Sequence, residues 1–140
     1  MTIVHTIKRL VANPIRTKFL RFASVGVAGT IAHYAVLVAI VEALNGRAIV
    51  GSSFGFLVGA AVNYVLNYHY TFRSNKEHKE TMPKFYLIAS IGFVVNGLIV
   101  YLFAHIGGAN YLFAQVVATA IVLVWGFAAN HLWTFVEERA

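Results

Sequence analysis

The sequence predicts an all-α integral membrane protein whose four transmembrane helices form a tandem 2+2 repeat, with both repeats in the same, parallel orientation. Three observations predict this class: the composition, the spacing of charged residues and an internal repeat. Hydrophobic residues make up 59% of the chain, charged residues make up 11%, and the mean hydropathy is +0.72. A chain of 140 residues has too little interior to hide that much apolar side chain, so lipid must cover it.

The internal repeat is clearest where Asn-Tyr-His-Tyr-Thr-Phe at 67–72 returns 63 positions later as Asn-His-Leu-Trp-Thr-Phe at 130–135. The same offset pairs further small or polar positions: Arg21 with Lys84, Gly29 with Gly92, and His33 with Asn96. Chance resemblance between two hydrophobic helices is least expected at such positions. Weak internal symmetry of this kind is typical of many transporters.

The charged residues delimit the spans. Uncharged stretches cover positions 22–41, 48–72 and 85–136, which are 20, 25 and 52 residues long. A transmembrane helix needs roughly 20 apolar residues, so the last stretch must hold two spans, separated by a turn at 107–110. The predicted spans lie near 21–44, 48–72, 84–106 and 110–135. They are helices because backbone groups in hydrocarbon must be bonded within their own segment.

The remaining segments flank or connect these spans. Residues 1–18 are predicted to be an interfacial amphipathic helix, since apolar residues recur at helical spacing around Lys8 and Arg9 until Pro14 ends the pattern. The first repeat is then 19–72 and the second 84–136. Between them, 73–83 has the mixed polar composition of a solvated loop, and 137–140 form a short tail.

Basic residues predict the orientation. Ten Lys and Arg residues lie before the first span, in the middle loop or in the tail, whereas the two hairpin tips carry only Arg47. This bias predicts that both termini and the middle loop are cytoplasmic. The formal net charge of +6 is therefore a topology signal, and no nucleic-acid partner is expected.

The second span carries a ridge in which Gly51, Gly55 and Gly59 recur every fourth residue and are continued by Asn63 and Asn67. Glycines at this spacing let another helix approach closely, so the ridge is either a packing seam or a dimer seam. An amide in hydrocarbon is costly unless it has a partner. The asparagines of this ridge therefore either link neighbouring helices or bind a polar ligand.

Other polar groups fall at corresponding places in the two repeats. Asn130 repeats Asn67, while His33 and Asn96 share a mid-span position where a polar side chain is either a satisfied core group or functional. His33 is the group that could couple a cycle to protons. The predicted cytoplasmic rim collects five basic side chains, which serve either as interfacial anchors or as a phosphate site: Arg21, His69, Arg73, Lys84 and His131.

The motif N-x-x-x-N-x-x-x-T-F at 63–72, together with the repeated N-x-x-W-T-F at 130–135, resembles the GtrA-like family of bacterial membrane proteins. The resemblance covers roughly residues 19–136. It implies that the chain moves a polyprenyl-phosphate-linked sugar across the cytoplasmic membrane for cell-surface polysaccharide synthesis. Family members commonly have Arg after the asparagine, where this chain has Tyr68 and His131. Arg21, Arg73 or Lys84 would then supply more of the phosphate-binding charge.

These observations favour a flippase, or a flippase component, that is not an enzyme and uses no cofactor or metal. The sequence shows no paired carboxylates, no nucleophile with an oriented base and no cysteine. Two alternatives remain: a non-transporting membrane adaptor for a glycosyltransferase, and a small multidrug exporter. The exporter is disfavoured because that mechanism normally uses a glutamate within the first span. Here Glu42 lies near the end of that span. Four spans make a thin wall around a sugar phosphate, so a homodimer is expected.

Overall fold

The structure, a computed structural model, describes residues 13–137. Within this range the chain forms four α-helices: α1 (Pro14–Val38), α2 (Ala48–Leu66), α3 (His78–Val100) and α4 (Tyr111–Ala129). All four are long and apolar enough to cross a membrane, which confirms the prediction of an all-helical chain with four candidate spans. Large side chains such as Val27, Phe93 and Val116 are 62–68% exposed, as lipid-facing residues would be.

Each α-helix continues into a short π-helical segment, in which backbone N–H groups bond to the carbonyl five residues earlier. These segments are Ala39–Ala43, Asn67–Thr71, Tyr101–Ile106 and Asn130–Thr134. The amide of Phe72 donates to the carbonyl of Asn67 at 2.9 Å, and that of Phe135 to Asn130 at 2.8 Å. π-Helical turns are rare and often occur at functional sites. The sequence analysis did not predict them.

The first helix begins at Pro14 rather than near Arg21. The side chain of Asn13 accepts a hydrogen bond from the backbone N–H of Ile15 at 3.0 Å, and Pro14 occupies the first helical turn, where its missing N–H costs nothing. The proline that was predicted to end an upstream helix therefore starts α1. Residues 1–12 of the predicted interfacial segment lie outside the described residues.

The third helix also begins earlier than predicted, at His78 rather than Lys84, so the predicted loop 73–83 is helical over its second half. Glu80 explains part of this difference. Its carboxylate pairs with Lys84 at 3.0 Å and with Lys76 at 3.5 Å, and both lysines stand four residues away. Such spacing supports an exposed helical turn, although Pro83 removes one backbone hydrogen bond from it.

The chain divides into two compact units, with the division between Arg73 and Ser74. In the first unit, the glycine ridge of α2 packs against α1. Added Cβ atoms at Gly55 and Gly59 would lie 2.6 Å and 2.8 Å from the backbone oxygens of His33 and Gly29, and one at Gly51 would lie 3.1 Å from that of Leu37. The ridge is thus a close contact between two helices of the same unit.

In the second unit, α3 and α4 pack through alanine, glycine and hydrogen bonds between the two helices. Ala114 and Ala118 are fully buried, and Gly92 lies against Val122 and Trp125. The indole N–H of Trp125 donates to the backbone carbonyl of Ile88 at 3.3 Å, which ties the two helices together.

Several side-chain contacts recur in the two units at the 63-residue offset. The Arg21 guanidinium lies 5.1 Å from the ring centroid of Tyr70, and the Lys84 ammonium lies 5.4 Å from that of Trp133. The rings of Phe22 and Phe72 are 6.3 Å apart, and those of Phe85 and Phe135 are 6.4 Å apart. The two units therefore share contacts as well as sequence positions.

Candidate functional site

The first candidate site is the π-helical segment Asn67–Thr71, which places two polar side chains in the protein interior. Asn67 and Thr71 are each 1% exposed. Neither amide atom of Asn67, nor the hydroxyl of Thr71, hydrogen-bonds to any residue that the structure describes. Each buried polar group without a partner costs roughly 1–3 kcal/mol. A polar group that reached this Asn-Thr pair would recover that cost.

The second unit repeats this arrangement with one difference. Asn130 and Thr134 are 2% and 0% exposed at the corresponding places in Asn130–Thr134. The amide nitrogen of Asn130 donates to the carbonyl of Gly126 at 2.8 Å. The amide oxygen of Asn130 and the hydroxyl of Thr134 have no hydrogen-bond partner among residues 13–137. The Asn130 nitrogen thus uses one of its two hydrogens within the unit, while both amide atoms of Asn67 are without a partner among the described residues.

A cation is held against each of these π-helical segments. The Arg21 guanidinium donates to the backbone carbonyl of Tyr70 at 3.4 Å and lies over the same residue's ring. Lys84 lies over Trp133 but also pairs with Glu80, so its charge is partly neutralised. Arg21 is therefore the better placed of the two to meet a phosphate.

The other residues predicted at the rim have different surroundings. Arg73 is exposed and adopts a left-handed backbone conformation with φ of 48°, which ends the second helix. His69 is exposed beside Tyr68, with ring centroids 4.9 Å apart. The ring of His131 stacks on Phe127 at 5.6 Å.

The predicted mid-span residues serve different contacts in the two units. His33 packs between α1 and α2 against Gly55 and Gly59, and the amide of Asn63 donates to the carbonyl of Gly59 at 3.2 Å. Asn96 instead accepts a hydrogen bond from Gln115 at 3.0 Å. The structure thus brings Arg21 together with the segment that contains Asn67, and Lys84 together with the segment that contains Asn130. Within their own units, His33 contacts glycines of the neighbouring helix and Asn96 contacts a glutamine, so the two residues do not make equivalent contacts.

Three polar residues were missing from the predicted site. Thr71 and Thr134 were recognised only as markers of the repeat, although a hydroxyl one turn after a buried amide was a usable signal. Gln115 was not predicted at all, yet an amide side chain inside an apolar span indicates a function or a partner. In the described part of the chain, no cluster of three His, Asp or Glu residues could hold a metal ion.

Comparison with known protein families matches residues 21–135 to the family described as GtrA/DPMS, transmembrane domain. The match covers all four helices except the first turns of α1. A comparison with curated protein sequences gave no significant match.

Proposed function

Because this chain belongs to the GtrA/DPMS transmembrane-domain family, we propose that it translocates a polyprenyl-phosphate-linked sugar across the bacterial cytoplasmic membrane for cell-surface polysaccharide synthesis. One observation carries this proposal. The duplicated Asn-Thr pairs are buried and carry polar atoms without partners among the described residues, and a cation contacts each π-helical segment.

These groups match the chemistry of a lipid-linked sugar phosphate. Arg21 meets the phosphate charge, and the amide N–H groups of Asn67 donate to phosphate or sugar oxygens. In the first unit the Thr71 hydroxyl accepts from a sugar hydroxyl, and in the second unit the Thr134 hydroxyl and the Asn130 amide oxygen offer the same chemistry. A ligand that bonds to these buried groups offsets the free energy that their burial costs the folded protein. The same side chains therefore lower stability without the ligand and favour binding.

The charge bias supports an arrangement in which both Asn-Thr pairs lie at the cytoplasmic ends of their helices, where the substrate is made. The contacts that recur at the 63-residue offset support a tandem 2+2 repeat. The protein then works without a catalytic step, driven by the substrate gradient or by an ion, and a second copy of the chain helps to enclose the headgroup.

Reconstitution of the purified chain into liposomes tests the proposal directly. Fluorescently labelled polyprenyl-phosphate glucose should become accessible to a bilayer-impermeant quencher faster than in protein-free liposomes. Liposomes that contain Arg21→Gln should fall towards the protein-free rate. Binding of a glycosyltransferase without lipid movement would instead establish the adaptor, and drug resistance on expression would establish the exporter.

Single introduced cysteines test the proposed topology. The chain contains no cysteine of its own, so each variant has one thiol. In intact cells a cysteine at the exposed hairpin residue Leu44 should react with an impermeant thiol reagent, and one at Asn75 should react only after the cells are opened. The reverse pattern, or equal labelling of both sites in intact cells, would contradict the proposed orientation.

A further inference from the structure

The second unit contains a groove between α3 and α4, with a volume of about 510 Å³. It is an open surface groove rather than an enclosed cavity, so a ligand there would stay partly exposed. Polar and aromatic residues line it together with small ones, among them Asn96, Tyr101, Ala104, His105 and Gln115. None of these residues contributes to the buried Asn-Thr pairs, so the groove is a separate feature.

Amide groups at the groove form an incomplete hydrogen-bond network. The side-chain nitrogen of Gln115 donates to the Asn96 side-chain oxygen at 3.0 Å and to the Thr119 hydroxyl at 3.1 Å. Both of its hydrogens are then used, and its own oxygen remains as an acceptor. The Asn96 nitrogen remains as a donor. Two hydrogen-bonded amides that keep one acceptor and one donor suit hydroxyl groups, since a hydroxyl both donates and accepts.

The position of the groove separates it from the phosphate-binding end of the unit. From Asn96 to His105 the chain rises roughly 13 Å, at about 1.5 Å per residue, so the groove extends from mid-helix to the hairpin tip. Lys84 and Asn130 belong to the opposite ends of α3 and α4. The proposed topology puts the groove in the outer half of the membrane.

The lining favours carbohydrate over phosphate. Within the described residues, no Lys or Arg contributes to the groove. The rings of Tyr101 and His105 stack with their centroids 5.2 Å apart, which uses one face of each ring; Tyr101 is also exposed, and a flat aromatic face suits the apolar face of a sugar ring. Gln115 and Thr119 are exposed, and in hydrocarbon an exposed amide without a polar ligand is costly.

We infer that this groove binds the hydroxyl groups of the carbohydrate headgroup in the outer half of the membrane, where the headgroup arrives after crossing. The inference rests on the proposed function for the identity of the ligand and the direction of transport. It divides recognition between two stages: Arg21 and the Asn-Thr pairs bind the headgroup before it crosses, and the groove binds the sugar after it has crossed.

A single cysteine introduced by Ala104→Cys, inside the groove, allows a test that does not require translocation. The Ala104→Cys protein in lipid nanodiscs should react with N-ethylmaleimide, and hexyl glucoside should slow the reaction several-fold more than hexanol at the same concentration. Adding Gln115→Met, which keeps the bulk of the side chain and removes its amide, should abolish the difference between the two compounds. Adding Val116→Met, on the exposed neighbour of Gln115, should preserve it.

Equal slowing by hexanol and hexyl glucoside would overturn the inference. So would an unreactive thiol in the Ala104→Cys protein beside a reactive one in an Ile106→Cys protein, because Ile106 is exposed at the hairpin end of its helix and protein would then cover the groove. Liposome translocation separates the two proposals. If the lipid crosses but hexyl glucoside gives no protection, the groove assignment is wrong and the proposed function stands. If hexyl glucoside protects the introduced thiol but the lipid does not cross, the sugar site stands and the flippase proposal fails.

Discussion

A leucine at Gly59 is expected to separate α1 from α2 and to destabilise the protein more than any other single change considered. Even a Cβ atom at this position would lie 2.8 Å from the backbone oxygen of Gly29 and 3.1 Å from the Cβ atom of His33. Neither atom is the end of a flexible side chain, so the helices must move apart. Overpacking of this kind typically costs about 1–3 kcal/mol, and the backbone clash places Gly59→Leu at the upper end.

The measurement is thermal unfolding of the detergent-purified variant, followed by tryptophan fluorescence and by the monodisperse fraction in gel filtration. Gly26 provides a matched control on α1, because an added Cβ there would meet nothing within 4 Å. Gly26→Leu should therefore unfold close to the parent temperature. If Gly59→Leu and Gly26→Leu unfold together, α1 and α2 do not pack through the glycine ridge.

Replacing Asn67 with leucine should cut lipid binding while leaving the ligand-free protein as stable as the parent, or more stable. The Asn67 amide is buried, and its atoms bond to nothing in residues 13–137, so leucine removes a desolvation cost without breaking a bond. The bound lipid loses its hydrogen bonds to the amide. A bond to a charged phosphate contributes roughly 1.5–3 kcal/mol, so binding should weaken about ten-fold to a hundred-fold.

Two readouts on the same samples separate this prediction from a purely structural role for Asn67. Native mass spectrometry measures bound polyprenyl phosphate per folded molecule, and thermal unfolding measures stability. Asn110→Ala is the control with the opposite pattern, because Asn110 caps α4 by accepting from the Leu112 N–H at 2.9 Å. Losing that cap should cost about 1 kcal/mol and leave lipid binding unchanged. If Asn67→Leu lowers stability and leaves lipid binding unchanged, Asn67 has a structural role and the lipid does not bind there.

Asn130→Leu should not separate lipid binding from stability as Asn67→Leu does, because it also removes the hydrogen bond to the Gly126 carbonyl. The two asparagines occupy equivalent places in the sequence, so sequence reasoning gave them one role. Asn130 and Asn63 each donate to the carbonyl four residues earlier, whereas Asn67 does not. The choice among these rotamers depends on the neighbouring side chains, and only the packed structure supplies them.

The sequence alone determined the class of the protein, its four spans and its family, because these depend on sums over many residues. Hydropathy over about 20 residues needs no knowledge of neighbours, and the motif around Asn67 and Asn130 is local. The early start of α1 also had a local signal, since Asn13 followed by Pro14 is a favoured helix N-terminus. That signal was read as the end of a preceding helix.

Tertiary structure decided which faces of the helices meet within each unit and which polar groups are left without partners. The spacing of Gly51, Gly55 and Gly59 predicts a close helix contact, but a neighbour in the same chain and one in a second copy satisfy the same pattern. The contacts to His33 and Gly29 show that the ridge packs on α1. The groove at Asn96 and Gln115 is likewise invisible in sequence, because two amides 19 positions apart become neighbours only when α3 and α4 pack.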